Sequence, residues 1–207
     1  LLNEPVAQTR CGPQDAREFL SLCRTVRSEL STGRYRHVLG VARTAERLAR
    51  HYGASSRKVR VAALIHDISR AWPAQQLLDF MAARNLAVSD EERRMPVLLH
   101  ARVGAQRAHD EFGVDDAEVL SAIEHHTIAQ TGMSDVGKIL YIADSIEPSR
   151  TFPGRAALEA AAFRSLDEGM LACIESSLEH LKNSSVTAAP GTLALYDQLA
   201  ARREART

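Results

Sequence analysis

Eight histidines punctuate the chain, at positions 37, 51, 66, 100, 109, 125, 126 and 180. One of them, His66, is followed directly by Asp67 in the string AALIHDIS (62–69). The residues before the pair are apolar, so two polar side chains are delivered to the edge of the core. Buried without partners, they would cost several kcal/mol or change their ionisation. A divalent metal ion satisfies both, because neutral imidazole and carboxylate are its natural ligands. On the dipeptide alone, a helix cap beside a surface histidine is the commoner arrangement.

Other positions shift that balance. His37 opens an apolar stripe of Val38, Val41, Ala42, Ala45, Leu48 and Ala49. His100 follows Leu98 and Leu99 at the start of another periodic segment. Over 115–126, Val119, Ala122 and Ile123 set the buried face. His126 lies four past Ala122 and three past Ile123 and shares that face, whereas His125 is turned about 100° away. Asp144 follows Leu140 by four, beside Ala143, on the core side of its segment. Five helices or helix ends thus each present a His or Asp inward. His51, His109 and His180 stand among charged neighbours and read as surface residues.

The elements that must position these groups are helical. Apolar residues recur at helical spacing over 19–30 and 38–49, and 59–68 is apolar on nearly all sides. Further helices are predicted over about 96–112, 115–126, 135–146, 158–181 and 192–201. Gly33 and Gly53 are expected to stop the first two segments. No segment alternates with a period of two over a useful length, and no repeat is present. The pattern predicts an all-α fold, a single helical bundle of about eight or nine helices over residues 15–205. Residues 1–14, with Pro5, Gly12 and Pro13, read as a polar tail.

The 207 residues carry 26 basic and 26 acidic side chains, a formal charge of zero. That balance argues against a nucleic-acid coat or a polybasic membrane binder. The three cysteines, Cys11, Cys23 and Cys173, are odd in number and lack CxxC spacing, which fits a reducing compartment. No apolar run approaches the roughly 18 residues of a membrane span, and LLNEPVAQTR lacks the order of a signal peptide. A cytoplasmic location is the expectation.

The ordered series H…HD…H…H…D resembles the HD-domain superfamily of metal-dependent phosphohydrolases. Within it, the chain is most similar to the YqeK-type group, the bacterial symmetrical bis(5'-nucleosyl)-tetraphosphatases, or Ap4A hydrolases. The strings that carry the resemblance are RHVLGVARTAERLARHYGA (36–54), AALIHDISR (62–70), LLHARVGA (98–105), HHT (125–127), KILYIADSIEPSRTFPG (138–154) and LDEGM (166–170). They cover residues 34–182 or so, and the YIADxIEPxRxFPG pattern is the specific one. Departures fall at Ile68 and Arg70, where the family has an aromatic and a Lys. Others are His125 in place of Tyr, Ser149 in place of Gly, and a shortened C-terminal segment around Pro190–Leu195.

The resemblance implies two metal ions. It assigns His37, His66, Asp67 and Asp144 to one, and His100 and His126 to the other, with Asp67 bridging. Iron is the expected metal, with manganese, cobalt, nickel and zinc as alternatives. The implied reaction is hydrolysis of a dinucleoside tetraphosphate into two nucleoside diphosphates. Lys138 and Arg150 match the family's phosphate-contacting, catalytic cations, and Arg70 and Thr127 are weaker substrate-binding candidates. Glu147 would hold a ligand histidine or a water from behind. The expected partner is a small dinucleotide, with no nucleic acid and no membrane; the oligomeric state, a homodimer included, stays open. Two other readings fit less well: an HD-type nucleotidase acting on another nucleotide, and a non-catalytic nucleotide-binding HD domain.

Overall fold

The computed structural model describes residues 13–184 and 186–205. Cys11 and residues 1–12 of the tail expected over 1–14 lie outside them, and the last two residues of that tail begin the first helix instead. Among the described residues every regular element is helical: α1 (Pro13–Glu29), α2 (Thr32–Tyr52), α3 (Ser56–Ile65), α4 (Ala74–Ala83), α5 (Asp90–Arg94), α6 (Leu99–Phe112), α7 (Ala117–Glu124), α8 (Asp135–Ile146), α9 (Arg155–Arg164), α10 (Leu166–Asn183) and α11 (Pro190–Glu204). A short 3-10 turn, Pro96–Leu98, leads into α6.

The all-α reading holds, and the boundaries differ from the sequence expectation for local reasons. Gly33 does not end the first segment. It lies inside α2, whose start is set by Ser31, the side chain of which accepts from Arg34 N–H. The stretch 158–181 is two helices, because Ser165 takes an extended conformation (φ −158°, ψ 153°) and caps α10 through Glu168 N–H. The five-residue α5 is closed by a capping box between Ser89 and Glu92. Gly53 does stop α2 as expected, in the left-handed conformation with φ 68°.

α3 is central. Val59, Ala62, Ala63, Leu64 and Ile65 are fully buried, and the helix packs against α1, α2, α6, α7 and α8. One large core runs through these helices and on to α10 and α11, including Leu48, Ile123, Leu140, Ile142 and Met170. A smaller core of Leu77, Met81, Leu99 and Val103 joins α4 to α6 beneath Trp72 and Phe80. Cys23 and Cys173 are buried free thiols.

Candidate metal centre

The C-terminus of α3 is the middle of the site. The helix ends at Ile65, and a chain of tight turns follows: Ile68 N–H donates to Ile65 O (2.8 Å) and Arg70 N–H to Asp67 O (2.9 Å). His66 and Asp67 therefore stand where the apolar helix stops, both buried. His37 faces them from the second turn of α2, His100 from the first turn of α6, and Asp144 from the last turn of α8. α7 ends one residue before His125, so the helical phase read over 115–126 stops short of His126. A final turn nevertheless carries His126 inward, its side chain 2% exposed against 22% for His125.

The six side chains converge on the two oxygens of Asp67. Oδ2 lies 3.7 Å from His37 Nε2 and 3.6 Å from His66 Nε2. Oδ1 lies 3.3 Å from His100 Nε2 and 3.7 Å from His126 Nε2. Asp144 Oδ1 joins the first group, 3.0 Å from His37 Nε2 and 3.9 Å from His66 Nε2. Two ligand nests result, His37–His66–Asp67 and Asp67–His100–His126, each with its ligand atoms within 4.8 Å of one another. One carboxylate serves both.

Every ring is turned the same way. His66 Nδ1 donates to Ala63 O (2.8 Å), His126 Nδ1 to Ile123 O (2.7 Å) and His100 Nδ1 to Val97 O, each using the carbonyl three residues back. His37 Nδ1 donates to Glu147 Oε1 (3.1 Å). A carbonyl can only accept, so these bonds fix the proton on Nδ1 and leave the Nε2 lone pair facing the centre. His66 Nε2 is buried there with no hydrogen-bond partner. His37 Nε2 is also buried without one, with Asp144 Oδ1 standing 3.0 Å away. His100 Nε2 and His126 Nε2 point at each other 3.1 Å apart. Two lone pairs at that distance repel each other, a repulsion that a metal ion held beside them would relieve. The donor set, neutral nitrogens around shared carboxylates, fits divalent metal ions.

The electrostatics agree. Burial pushes the His66 pKa down to about 4, and burial likewise lowers that of His100, so both rings favour the neutral form that a metal ion needs. Burial opposes ionisation of Asp67, but His66, His100 and His126 outweigh it and hold the carboxyl far below its usual range. Asp144 is held down in the same way by His37, His66 and Arg150. His37 is raised: burial disfavours its cation, yet Asp144 and Glu147 outweigh the burial.

Around this centre the implied contacts are unevenly realised. Arg150 Nη2 reaches Asp144 Oδ1 (2.7 Å) and its Nε reaches Asp144 O (3.1 Å). Thr127 Oγ1 lies 3.2 Å from His126 Nε2 and 3.4 Å from His100 Nε2. Glu147 stands behind His37, and the Ser149 N–H and hydroxyl donate to its two oxygens. Arg70 follows the turn half-buried, and its guanidinium makes no hydrogen bond or ion pair among the described residues. Lys138 is engaged elsewhere: its Nζ pairs with Asp167 on α10 (2.7 Å), which also meets Arg202 of α11 (3.3 Å). That ion pair lends no support to a phosphate contact from Lys138. Sequence reasoning missed Arg34, whose Nη1 lies 2.6 Å from Asp67 Oδ2. The signal was present, since Arg34 precedes His37 by three and shares its face.

The HD domain family matches over residues 34–149, which include all six clustered side chains. The symmetrical bis(5'-nucleosyl)-tetraphosphatase of Bacillus subtilis is 33% identical over 174 residues, 84% of this chain and 93% of that protein. Its namesake from Halalkalibacterium halodurans is 34% identical over 174 residues, 84% and 92% of the two chains. A crystal structure from Clostridium acetobutylicum, described as that of a predicted HD superfamily hydrolase involved in NAD metabolism, superposes with a TM-score of 0.85 at 33% identity, covering 89% of this chain and 97% of that one. The chain belongs to the HD domain family, on the branch occupied by the symmetrical bis(5'-nucleosyl)-tetraphosphatases.

Proposed function

We propose that this chain is a metal-dependent phosphohydrolase that splits diadenosine tetraphosphate and similar dinucleotides symmetrically into two nucleoside diphosphates. The observation that carries the reading is the pair of ligand nests sharing Asp67, within a chain 33–34% identical to two proteins named for that activity. Divalent cations supply, when bound, charge for the phosphoryl oxygens and a water of lowered pKa as nucleophile. In this reading His37, His66, Asp67 and Asp144 hold one ion, and Asp67, His100 and His126 the other.

The remaining residues set orientation and charge. The carbonyls of Ala63, Val97 and Ile123 and the Glu147 carboxylate keep all four lone pairs inward. Arg150, beside Asp144, is positioned to bind phosphate oxygens. Thr127 serves the opposite side, near His100 and His126. We propose iron as the metal, which the family resemblance implies; nitrogen and carboxylate donors alone suit iron, manganese, cobalt, nickel or zinc alike. A cytoplasmic location is proposed from the free thiols; no helix among the described residues is long and apolar enough to cross a membrane.

The test is a product assay in isotopic water. Purified protein loaded with iron or manganese should convert diadenosine tetraphosphate to ADP alone, with the label on the terminal phosphate of one of the two ADP molecules. AMP and ATP as the main products would reject the symmetrical assignment. Nucleoside and inorganic phosphate released from a monophosphate, with the tetraphosphate left intact, would favour the nucleotidase reading.

A further inference from the structure

We propose that Arg34 is a specificity-determining residue, the cation that holds the diphosphate of the nucleotide half lying on the His37 side of the centre. The proposal rests on the reading of the substrate as a dinucleoside tetraphosphate and adds the place where one half is held.

A cleft of about 400 Å³ opens beside the ligand nests, lined by Ser31, Gly33, Arg34, His37, Glu147, Ser149 and Arg150; the oxygens of Glu147, its one acidic side chain, are already engaged by His37 and Ser149. Its chemistry is that of an anion site. α2 points its N-terminus into the cleft, and its first turn contains no acidic residue. Ser31 Oγ accepts the Arg34 N–H, but the N–H groups of Thr32 and Gly33 have no partner within the helix. A Cβ built on Gly33 would meet nothing within 4 Å, so the space over that turn is open. His37, only 8% exposed, joins the cleft to the ligand nests, so an anion held there would lie beside the metal centre.

Arg34 and Arg150 bring the positive charge, and they are not equivalent. Arg150 spends Nε and Nη2 on Asp144. Arg34 spends only Nη1, on Asp67 Oδ2, which leaves the rest of its planar fork for phosphate oxygens. Its side chain is 35% exposed, within reach of an entering ligand. It sits on the Oδ2 side of the bridging carboxylate, away from Thr127, which approaches His100 and His126. A terminal diphosphate placed between Arg34, Arg150 and the α2 turn would have its end phosphate against the Asp67–His37 edge.

The experiment compares Arg34→Ala and Arg34→Lys with the parent, all loaded with manganese. ADP binding is read by calorimetry, and metal binding separately by chelator competition. Arg34→Ala should weaken ADP binding at least tenfold with metal affinity undiminished, and Arg34→Lys should recover only part of the loss. With the tetraphosphate, KM should rise more than kcat falls. ADP binding unchanged in Arg34→Ala, while the parent still yields ADP, would overturn the Arg34 assignment alone. Loss of metal affinity in step with ADP affinity would also overturn it, making Arg34 a positioning residue for Asp67. A parent that releases AMP and ATP would instead remove the symmetrical reading on which the diphosphate assignment rests.

Discussion

A single missing carbon shapes the His37 side of the centre. Gly40 follows His37 by three on the same face of α2, and a Cβ there would lie 2.5 Å from Glu147 Oε2. A mid-helix glycine costs roughly 0.5–1 kcal/mol relative to alanine, so its presence offsets a steric conflict. Gly40→Ala should therefore push Glu147 off His37 Nδ1, free the ring to turn, and weaken metal binding by about tenfold or more, as loss of a group behind a ligand does. Chelator competition checks this, and unchanged metal affinity with a higher Tm would refute it. Nothing in the sequence marked Gly40, because its partner lies 107 positions away across the fold. His37, His100 and Asp144, by contrast, were legible on the inward faces of their helices and His66–Asp67 as a polar pair closing an apolar run, while the family resemblance joined them and His126 into one ligand set. The lowered pKa of His66 also predicts a pH dependence. With a folded value of about 4 against an ordinary 6.5, the unfolded chain binds more protons between those values. Stability is then full above about 6.5 and falls as pH drops toward 4. His100, also lowered, adds in the same direction. Asp67 and Asp144 extend the loss below their ordinary value of 3.8, whereas His37, raised, contributes with the opposite sign. Thermal melts of metal-free protein should accordingly show Tm declining from pH 7 to pH 4.

At the scale of helices, the sequence carried the class and lost the joints. Periodicity shows which face of a helix is apolar, but not where one helix hands its stripe to the next. The stretch 158–181 reads as continuous because α9 and α10 both bury small or aliphatic residues against α8, and only the cap at Ser165 separates them. The end of α7 matters more for chemistry. His125 and His126 both fall after the last helical residue, so their directions are set by the turn and by the bond from His126 Nδ1 to Ile123 O. His126→Ala should cost the protein one of two bound ions, whereas His125→Ala should keep both; metal analysis of the two variants decides it, and the reverse result would mean that the turn is placed one residue out. Lys138 is the other element-scale case. Its bond to Asp167, shared with Arg202, ties α8 to α10 and α11. Lys138→Ala should lower stability by about 1 kcal/mol or less, the usual worth of a partly exposed ion pair, and leave kcat/KM for the tetraphosphate within twofold. A large fall in kcat/KM at unchanged Tm would return Lys138 to the phosphate-binding set.

In the whole molecule, the ligands come from α2, the end of α3, α6, the turn after α7, and α8. Sequence separations of 29 to 107 residues lie between His37 and the other five clustered side chains, His66 being the nearest and Asp144 the farthest. No local segment can bind a metal with more than one or two of these groups, so the centre exists only when the bundle is folded. Metal binding is then folding free energy. An ion that binds the native state alone stabilises it by RT ln(1 + [L]/Kd), about 2.7 kcal/mol at a hundredfold excess over Kd. Saturating manganese or iron should raise Tm by several degrees, and a chelator should reverse the rise. Asp67 makes this a sharp test, because its two oxygens belong to different nests. Asp67→Asn keeps the volume but gives up the charge that both nests share. It should abolish both ions together, so that added metal no longer moves Tm and bound metal falls toward zero rather than from two to one. A variant that still bound one ion tightly, with a Tm that still responded to it, would show the nests to be independent. The bridging role of Asp67 would then be lost, even with the rest of the ligand set intact.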